Sequence, residues 1–194
     1  KRKDDPNDII PHENRRDIRA LKVFGAWTEH NDLRVGNTFD VFVEEDGRKF
    51  VRHYLIDFGS TFGSDSLQPN LKEVGREHGI DLDEAGKVLF TAGIYQPPWR
   101  DENYDPIFSP AIGRYSTKSF SPDGWKSNFT LAALKEMTNL DAFWAMRKIA
   151  AFTPEQIRAM VETAEYSKES DSEYLIKQIL ARQKIIVQYY ANKL

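Results

Sequence analysis

The chain of 194 residues contains no cysteine. That excludes disulfides and thiolate metal sites, and it removes the residue whose usage reports the redox compartment. No apolar run approaches the roughly 20 residues that a membrane-spanning helix requires, so no membrane segment is expected. Neither sign of charge dominates, since 27 basic against 30 acidic residues leave a formal net charge of -3. So balanced a surface offers no general attraction to nucleic acid or to an anionic bilayer, and no nucleic-acid partner is expected. Internal repeats and low-complexity tracts are missing as well. What is present is 40% hydrophobic residues, with aromatics at 12%. This suffices for one sizeable core, or for one domain with an appended subdomain.

Residues 1–12 are charged and polar, punctuated by Pro6 and Pro11, and read as a linker or lead-in to a body spanning 13–194. From Glu13 to about Glu29, the residues Ile18, Leu21, Phe24 and Trp27 recur every three positions, which predicts one largely buried helix. Thr38 to Glu44 alternates, with Phe39, Val41 and Val43 on one side. Glu45-Asp46-Gly47 is a turn signal, and Lys49 to Ile56 is a second run of strand character, so a hairpin is expected. Leu71 to His78 suggests a short helix stopped by Gly79, and Glu84 to Phe90 a strand or a single turn. Gly93 to Phe120 has no periodicity; Tyr95, Trp99, Tyr104 and Phe108 either line a ligand groove or pin a loop to the core, the second taking precedence.

The last third is helical. Leu131 to Met137 is a short helical pattern, and Asn139 can cap a helix from Asp141 to Phe152. Thr153-Pro154-Glu155-Gln156 opens another through about Ala164, and Ser170 or Asp171 opens the last. The expected fold class is α+β, mainly helical, with a small β-hairpin and a helical C-terminal subdomain over 130–194. His12, His53 and His78 show no zinc-like spacing with carboxylates.

The chemistry concentrates between His30 and Gly59. His30-Asn31-Asp32-Leu33-Arg34-Val35-Gly36-Asn37 fits H-x-D-L-x-x-x-N at every fixed position, and after the hairpin Leu55-Ile56 runs into Asp57-Phe58-Gly59. Moving a phosphoryl group needs a carboxylate near the acceptor hydroxyl and oxygen ligands for the Mg2+ that bridges nucleotide phosphates. Five residues of loop can aim Asp32 and Asn37 into one pocket, and the hairpin returns the chain with Asp57 beside them. The bland alternative is that Asp32 and Asn37 are turn formers and Asp57 begins an ordinary strand exit.

In both motifs and in their order, this stretch resembles the C-terminal lobe of the protein-kinase-like superfamily. The resemblance implies a phosphotransferase using ATP and Mg2+. Asp32 would orient or deprotonate the acceptor hydroxyl, and Asn37 and Asp57 would hold the metal and, through it, the nucleotide. His30 would pack rather than transfer protons. Arg34 stands where many relatives carry a lysine that reaches the transferred phosphate, though a solvated arginine is an equal reading.

The chain also departs from the family pattern. From Asn37 to Asp57 is 20 positions, longer than the usual protein-kinase interval, and no A-P-E follows. The likeness is therefore closer to divergent branches such as aminoglycoside phosphotransferase-like enzymes, and the acceptor is an unidentified hydroxyl. No G-x-G-x-x-G occurs, and residue 1 is lysine. The expectation is an upstream N-terminal lobe of the same polypeptide that supplies most of the nucleotide site. Ser60 to Ser66 is expected to form a mobile loop beside that site. Two other readings stand: a catalytically silent kinase-like module that binds a partner or nucleotide, and a helical interaction domain whose motif is accidental. Geometry separates the last from the others, because Asp32, Asn37 and Asp57 must face one space.

Overall fold

The computed structural model describes residues 15–101, 103–118, 120–129 and 131–193. The lead-in, with His12 and the expected helix start at Glu13, lies outside the described residues. Where one helix was expected, two occur: α1 (Arg16–Arg19) and α2 (Leu21–Thr28). Ala20 divides them because Val23 N–H bonds to the Ala20 carbonyl, three residues back, at 3.0 Å, which tightens the turn beyond α-helical pitch. Val23 and Ala26 are nevertheless fully buried, as the apolar spacing requires.

The hairpin forms from β1 (Thr38–Glu45) and β2 (Arg48–Leu55), antiparallel, with Thr38 opposite Leu55 and Glu45 opposite Arg48. Asp46 and Gly47 alone make the turn, both with positive φ (51° and 72°), the mirror-image geometry that matches the twist of two-residue hairpins. Its faces differ from the alternation in the sequence. Phe39 and Phe42 are both exposed, whereas the Asp40 side chain is covered and meets His53 Nδ1 at 2.6 Å. Burial is greatest at the base, at Asn37 and Thr38, because the tip extends past the core.

Beyond the hairpin lies a smaller one, β3 (Ser64–Asp65) with β4 (Gln68–Pro69). The helix expected at Leu71–His78 is replaced by turns, because Gly75 takes φ 79° and enters a bridge with Lys126. The strand or single turn expected at Glu84–Phe90 is instead α3 (Leu82–Phe90), capped by the Asp81 carboxylate, which accepts from Glu84 N–H at 3.2 Å. Along Gly93–Phe120 the aromatic rings pin loops to the core. Phe108 stacks on Tyr174 with centroids 3.7 Å apart, and Tyr115 is buried with its hydroxyl donating to the Trp27 carbonyl at 2.6 Å.

After α4 (Ala132–Lys135) come α5 (Asn139–Ala150), α6 (Pro154–Glu162) and α7 (Glu169–Ala191). Thr138, not Asn139, caps α5, in a reciprocal box with Asp141. Thr153 and Gln156 build the same box on α6, with Pro154 at the first helical position. The main core joins α2 to α5, α6 and α7 through Val23, Trp27, Ala145, Ile149, Ile157 and Ile186. A second cluster of Ala26, Leu33, Trp125, Leu131 and Leu134 packs on the other side of α2 and touches Leu55 at the hairpin base. The fold is α+β and mainly helical, with the hairpin as its chief β element. Among the described residues, no helix is long and apolar enough to cross a membrane.

Candidate functional site

The C-terminus of α2 delivers the chain to the site. Glu29 ends the helix in a left-handed conformation (φ 55°), and His30 N–H returns to the Gly25 carbonyl at 3.0 Å. His30 and Asn31 are thereby buried. Asn31 is held from both sides: its N–H donates to the Ser60 carbonyl at 3.4 Å, and its own carbonyl accepts from Asn128 N–H at 2.9 Å. The 3-10 turn Val35–Asn37 then doubles the chain back before β1.

This doubling brings Asn37 onto Asp32. Asn37 Nδ2 donates to the Asp32 backbone carbonyl at 3.0 Å and to Asp32 Oδ2 at 2.8 Å. One amide therefore fixes both the loop and the orientation of the carboxylate. Asp32 Oδ1 is buried and makes no hydrogen bond. Arg34 Nε lies 3.3 Å from that oxygen, a charge contact without hydrogen-bond geometry, and the rest of the Arg34 guanidinium lies over the Phe129 ring, 5.6 Å from its centroid. Asp32, Arg34 and Asn37 form one cluster.

Asp57 follows the hairpin base in the chain. Ile56 N–H donates to the Asn37 carbonyl at 2.9 Å, so the ladder of the hairpin continues one step past Thr38 and Leu55 and releases Asp57 next to Asn37. Asp57 has φ 62°, a left-handed conformation rare outside glycine, although aspartate tolerates it better than most. Such strain gathers at functional sites. A Cβ at Gly59 would lie 3.0 Å from Ser66 Oγ, a tight fit that a small turn of that hydroxyl can relieve, and 3.5 Å from Asp57 Oδ1, an ordinary contact.

The Phe58 ring, 59% exposed on its outer side, stacks on His30 with centroids 5.2 Å apart. Burial, chiefly, holds the His30 imidazole below its ordinary pKa, against the Ser60 carbonyl and the carboxylates of Asp32 and Asp57, which act in the opposite direction. A neutral, stacked imidazole is a platform for Phe58. The Ser60 carbonyl lies 3.4 Å from His30 Nδ1 and also accepts from Asn31, which ties the segment after Asp57 to the segment before Asp32. Neither Asn31 nor Ser60 stands at a fixed position of the two motifs, so spacing gave no signal for either.

The groups able to meet a divalent cation are the Asn37 amide oxygen, whose nitrogen is committed to Asp32, and the Asp57 carboxylate. Among the described residues, no three His, Cys, Asp or Glu side chains gather to hold a metal ion. A hard cation at Asn37 and Asp57 would complete its shell with phosphate oxygens and water, the usual condition of Mg2+ in nucleotide enzymes. No protein-family model matches this chain, and comparison with curated proteins and with solved structures likewise gives no match.

Proposed function

We propose that this chain is the catalytic lobe of a kinase-like phosphotransferase that moves the terminal phosphoryl group of ATP to a hydroxyl acceptor. The observation that carries it is the double hydrogen bond from Asn37 Nδ2 to Asp32, which leaves Asp32 Oδ1 buried and free of hydrogen bonds. A carboxylate clamped through one oxygen keeps the other as an open acceptor, which an alcohol reaches once the half-exposed Arg34 side chain beside it moves aside, as a group that orients and deprotonates an alcohol requires. In the proposed step the acceptor O–H proton passes to Asp32, the acceptor oxygen bonds to the terminal phosphorus, and the bond to ADP breaks. Mg2+, when bound by Asn37 and Asp57, supplies charge to the phosphate oxygens. Arg34, half exposed beside Asp32, is placed to meet the transferred phosphoryl group. In this reading, as in the family it resembles, an upstream N-terminal lobe of the same polypeptide supplies the rest of the nucleotide site.

The test uses the complete polypeptide with Mg-ATP, measuring nucleotide binding by calorimetry and phosphate release or transfer by radiolabel. Asp57→Ala is expected to lose Mg-dependent binding. Asp32→Ala is expected to bind Mg-ATP as the parent does and to lose turnover by roughly a hundredfold or more, the usual worth of a positioned acid or base. Binding without turnover in the parent itself would assign the chain to the catalytically silent module. Turnover equal to the parent in both variants would overturn the roles assigned here.

A further inference from the structure

A second cavity, of about 660 Å3, lies away from Asp32 and is walled by the stretch from β4 to Glu77 and by the loops around Trp99 and Arg114. Its volume is in the range of sites for small organic molecules. Three cations line it: Lys72, Arg100 and Arg114. None of them lies within ion-pair distance of a carboxylate among the described residues. Lys72 Nζ and Arg100 Nη1 meet only neutral oxygens, those of the Arg100 carbonyl and Gln96 at 3.4 and 2.8 Å. Arg114 donates to the carbonyls of Asn70 and Asp105 at 3.1 and 2.6 Å. The backbone bonds hold the Arg114 guanidinium in place without a carboxylate at ion-pair distance among the described residues. Glu73 and Glu77 also border the cavity, and the Glu77 carboxylate accepts from the Trp99 indole at 3.4 Å. That bond sets the ring of Trp99 as an apolar wall.

An independent observation points to a ligand. Asn70, in the cavity wall, is 3% exposed, and neither its side-chain oxygen nor its nitrogen has a hydrogen-bond partner among the described residues. Buried amides are otherwise almost always satisfied; an oxyanion can accept from the unmet Asn70 Nδ2, while Oδ1 needs a donor, such as a hydroxyl or a protonated phosphate oxygen. Asn70 is fixed by its own N–H, which donates to the Gly63 carbonyl at 2.9 Å, and by Arg114 on its carbonyl.

We infer that the cavity between Asn70, Lys72, Trp99, Arg100 and Arg114 binds a small organic anion, a phosphate or carboxylate carried on an apolar or aromatic body. The anionic group meets the three cations, and the body lies against Trp99 and Ile107. Charge-assisted bonds from two guanidinium groups and an ammonium favour phosphate over carboxylate. The site stands on its own observations and does not depend on phosphoryl transfer at Asp32.

The test is calorimetric titration of the protein, without nucleotide or Mg2+, with phenyl phosphate, benzoate and the neutral benzyl alcohol. Saturable binding of phenyl phosphate or benzoate, weakened about tenfold or more in Lys72→Met/Arg100→Met, supports the site, and the tighter of the two names the anionic group. Both residues are at the surface, so the double variant should melt as the parent does. Asn70→Leu is expected to keep or raise the melting temperature while weakening the probe, an outcome that a purely structural asparagine would not give. Asp57→Ala should bind the probe as the parent does. Binding that is unaffected by the double variant, equal for benzyl alcohol, absent at millimolar probe, or lost in Asp57→Ala overturns the proposal. Failure of Mg-ATP to bind would bear on the Asp32 site alone.

Discussion

Asp141 shows how much a single carboxylate can hold. Its Oδ2 accepts from Thr138 N–H and Oγ1 at 2.9 and 2.8 Å, and its two oxygens take Arg19 Nε and Nη2 at 2.7 and 2.9 Å. The hydrogen bond from Arg19, first, and those from Thr138 bring the pKa of this buried group down from 3.8 to about 2. A depressed carboxylate contributes stability that is complete above its unfolded value and is lost as pH falls through its folded one. Asp141→Asn should therefore cost about 2 kcal/mol at neutral pH. The difference from the parent should close between pH 3.8 and about 2, as urea melts at stepped pH would record. A difference that persists undiminished at pH 2 would place the cost in packing instead. Residue by residue, legibility follows distance along the chain. Asp32 and Asn37 are five apart on one loop, close enough for the spacing to bring them into one pocket, but the bond of the Asn37 amide to Asp32 is a detail the spacing does not give. Arg19 and Asp141 are 122 apart, and nothing local in either segment predicts that they meet. The cap shifted from Asn139 to Thr138 for a related reason: T-x-x-D is a box signal, but Asn139 is also a good cap in isolation.

Among elements, the longer helices whose apolar residues face the core were readable, and so was the hairpin, whose alternation and Asp46-Gly47 turn mark it although Phe39 and Phe42 face solvent. α5, α6 and α7 carry stripes that end in the main core, and their sequence patterns place them within a few residues. Helix α3 carries apolar residues at helical spacing, Leu82, Ala85 and Leu89, but it is only nine residues long and Leu82, Leu89 and Phe90 stay exposed, so the short run reads as a strand or a single turn. The Asp81 cap marks its start. The segment that follows Asp57 is set by a backbone contact that no periodicity reports. Gly63 has φ 84°, and a Cβ there would lie 2.6 Å from the Ile112 carbonyl oxygen and 2.7 Å from Tyr115 N, both rigid backbone. Its carbonyl accepts from Asn70 N–H at 2.9 Å, and so it positions β3 and β4 behind the Asp57 loop. Gly63→Ala is expected to destabilise by roughly 2 to 4 kcal/mol, through positive φ and a backbone clash together. Thermal melting gives the magnitude, and hydrogen exchange should show the amides of Ser66 and Asn70 losing protection before those of α5 and α7. Uniform loss across the chain would contradict a role confined to this element.

Over the whole molecule, one buried ion pair links the end of α2 to the middle of α7. Arg182 Nη2 donates to Glu29 Oε2 at 2.7 Å, with both side chains at most 5% exposed, and its remaining nitrogens reach the Ala26 and Ser116 carbonyls at 3.1 and 3.0 Å. The guanidinium is sandwiched by Tyr115 and Phe120, 4.0 and 4.6 Å from their centroids. The sequence did carry a sign of this. Leu175, Ile179, Arg182 and Ile186 share one helical face, and an arginine on a buried stripe demands a partner, although spacing cannot say which carboxylate answers. Glu29 directly precedes His30, so the pair also anchors the loop that carries Asp32. Burial pushes the Glu29 carboxyl upward, and Arg182 is the first group that opposes the shift. Arg182→Met removes the bonded partner and leaves the Glu29 charge with the more distant Arg76 in the core, at a cost of about 3 to 5 kcal/mol at pH 8. A carboxyl whose folded pKa is raised contributes stability below its unfolded value and loses it as pH rises through its folded one. The penalty of Arg182→Met should accordingly shrink on acidification, as Glu29 takes up a proton and becomes neutral. Glu29→Gln added to Arg182→Met should recover much of the loss at pH 8 and make the remainder independent of pH. Denaturant melts of the three variants between pH 5 and 8 separate this from loss of the aromatic sandwich, which would cost the same at every pH and would not respond to Gln at 29.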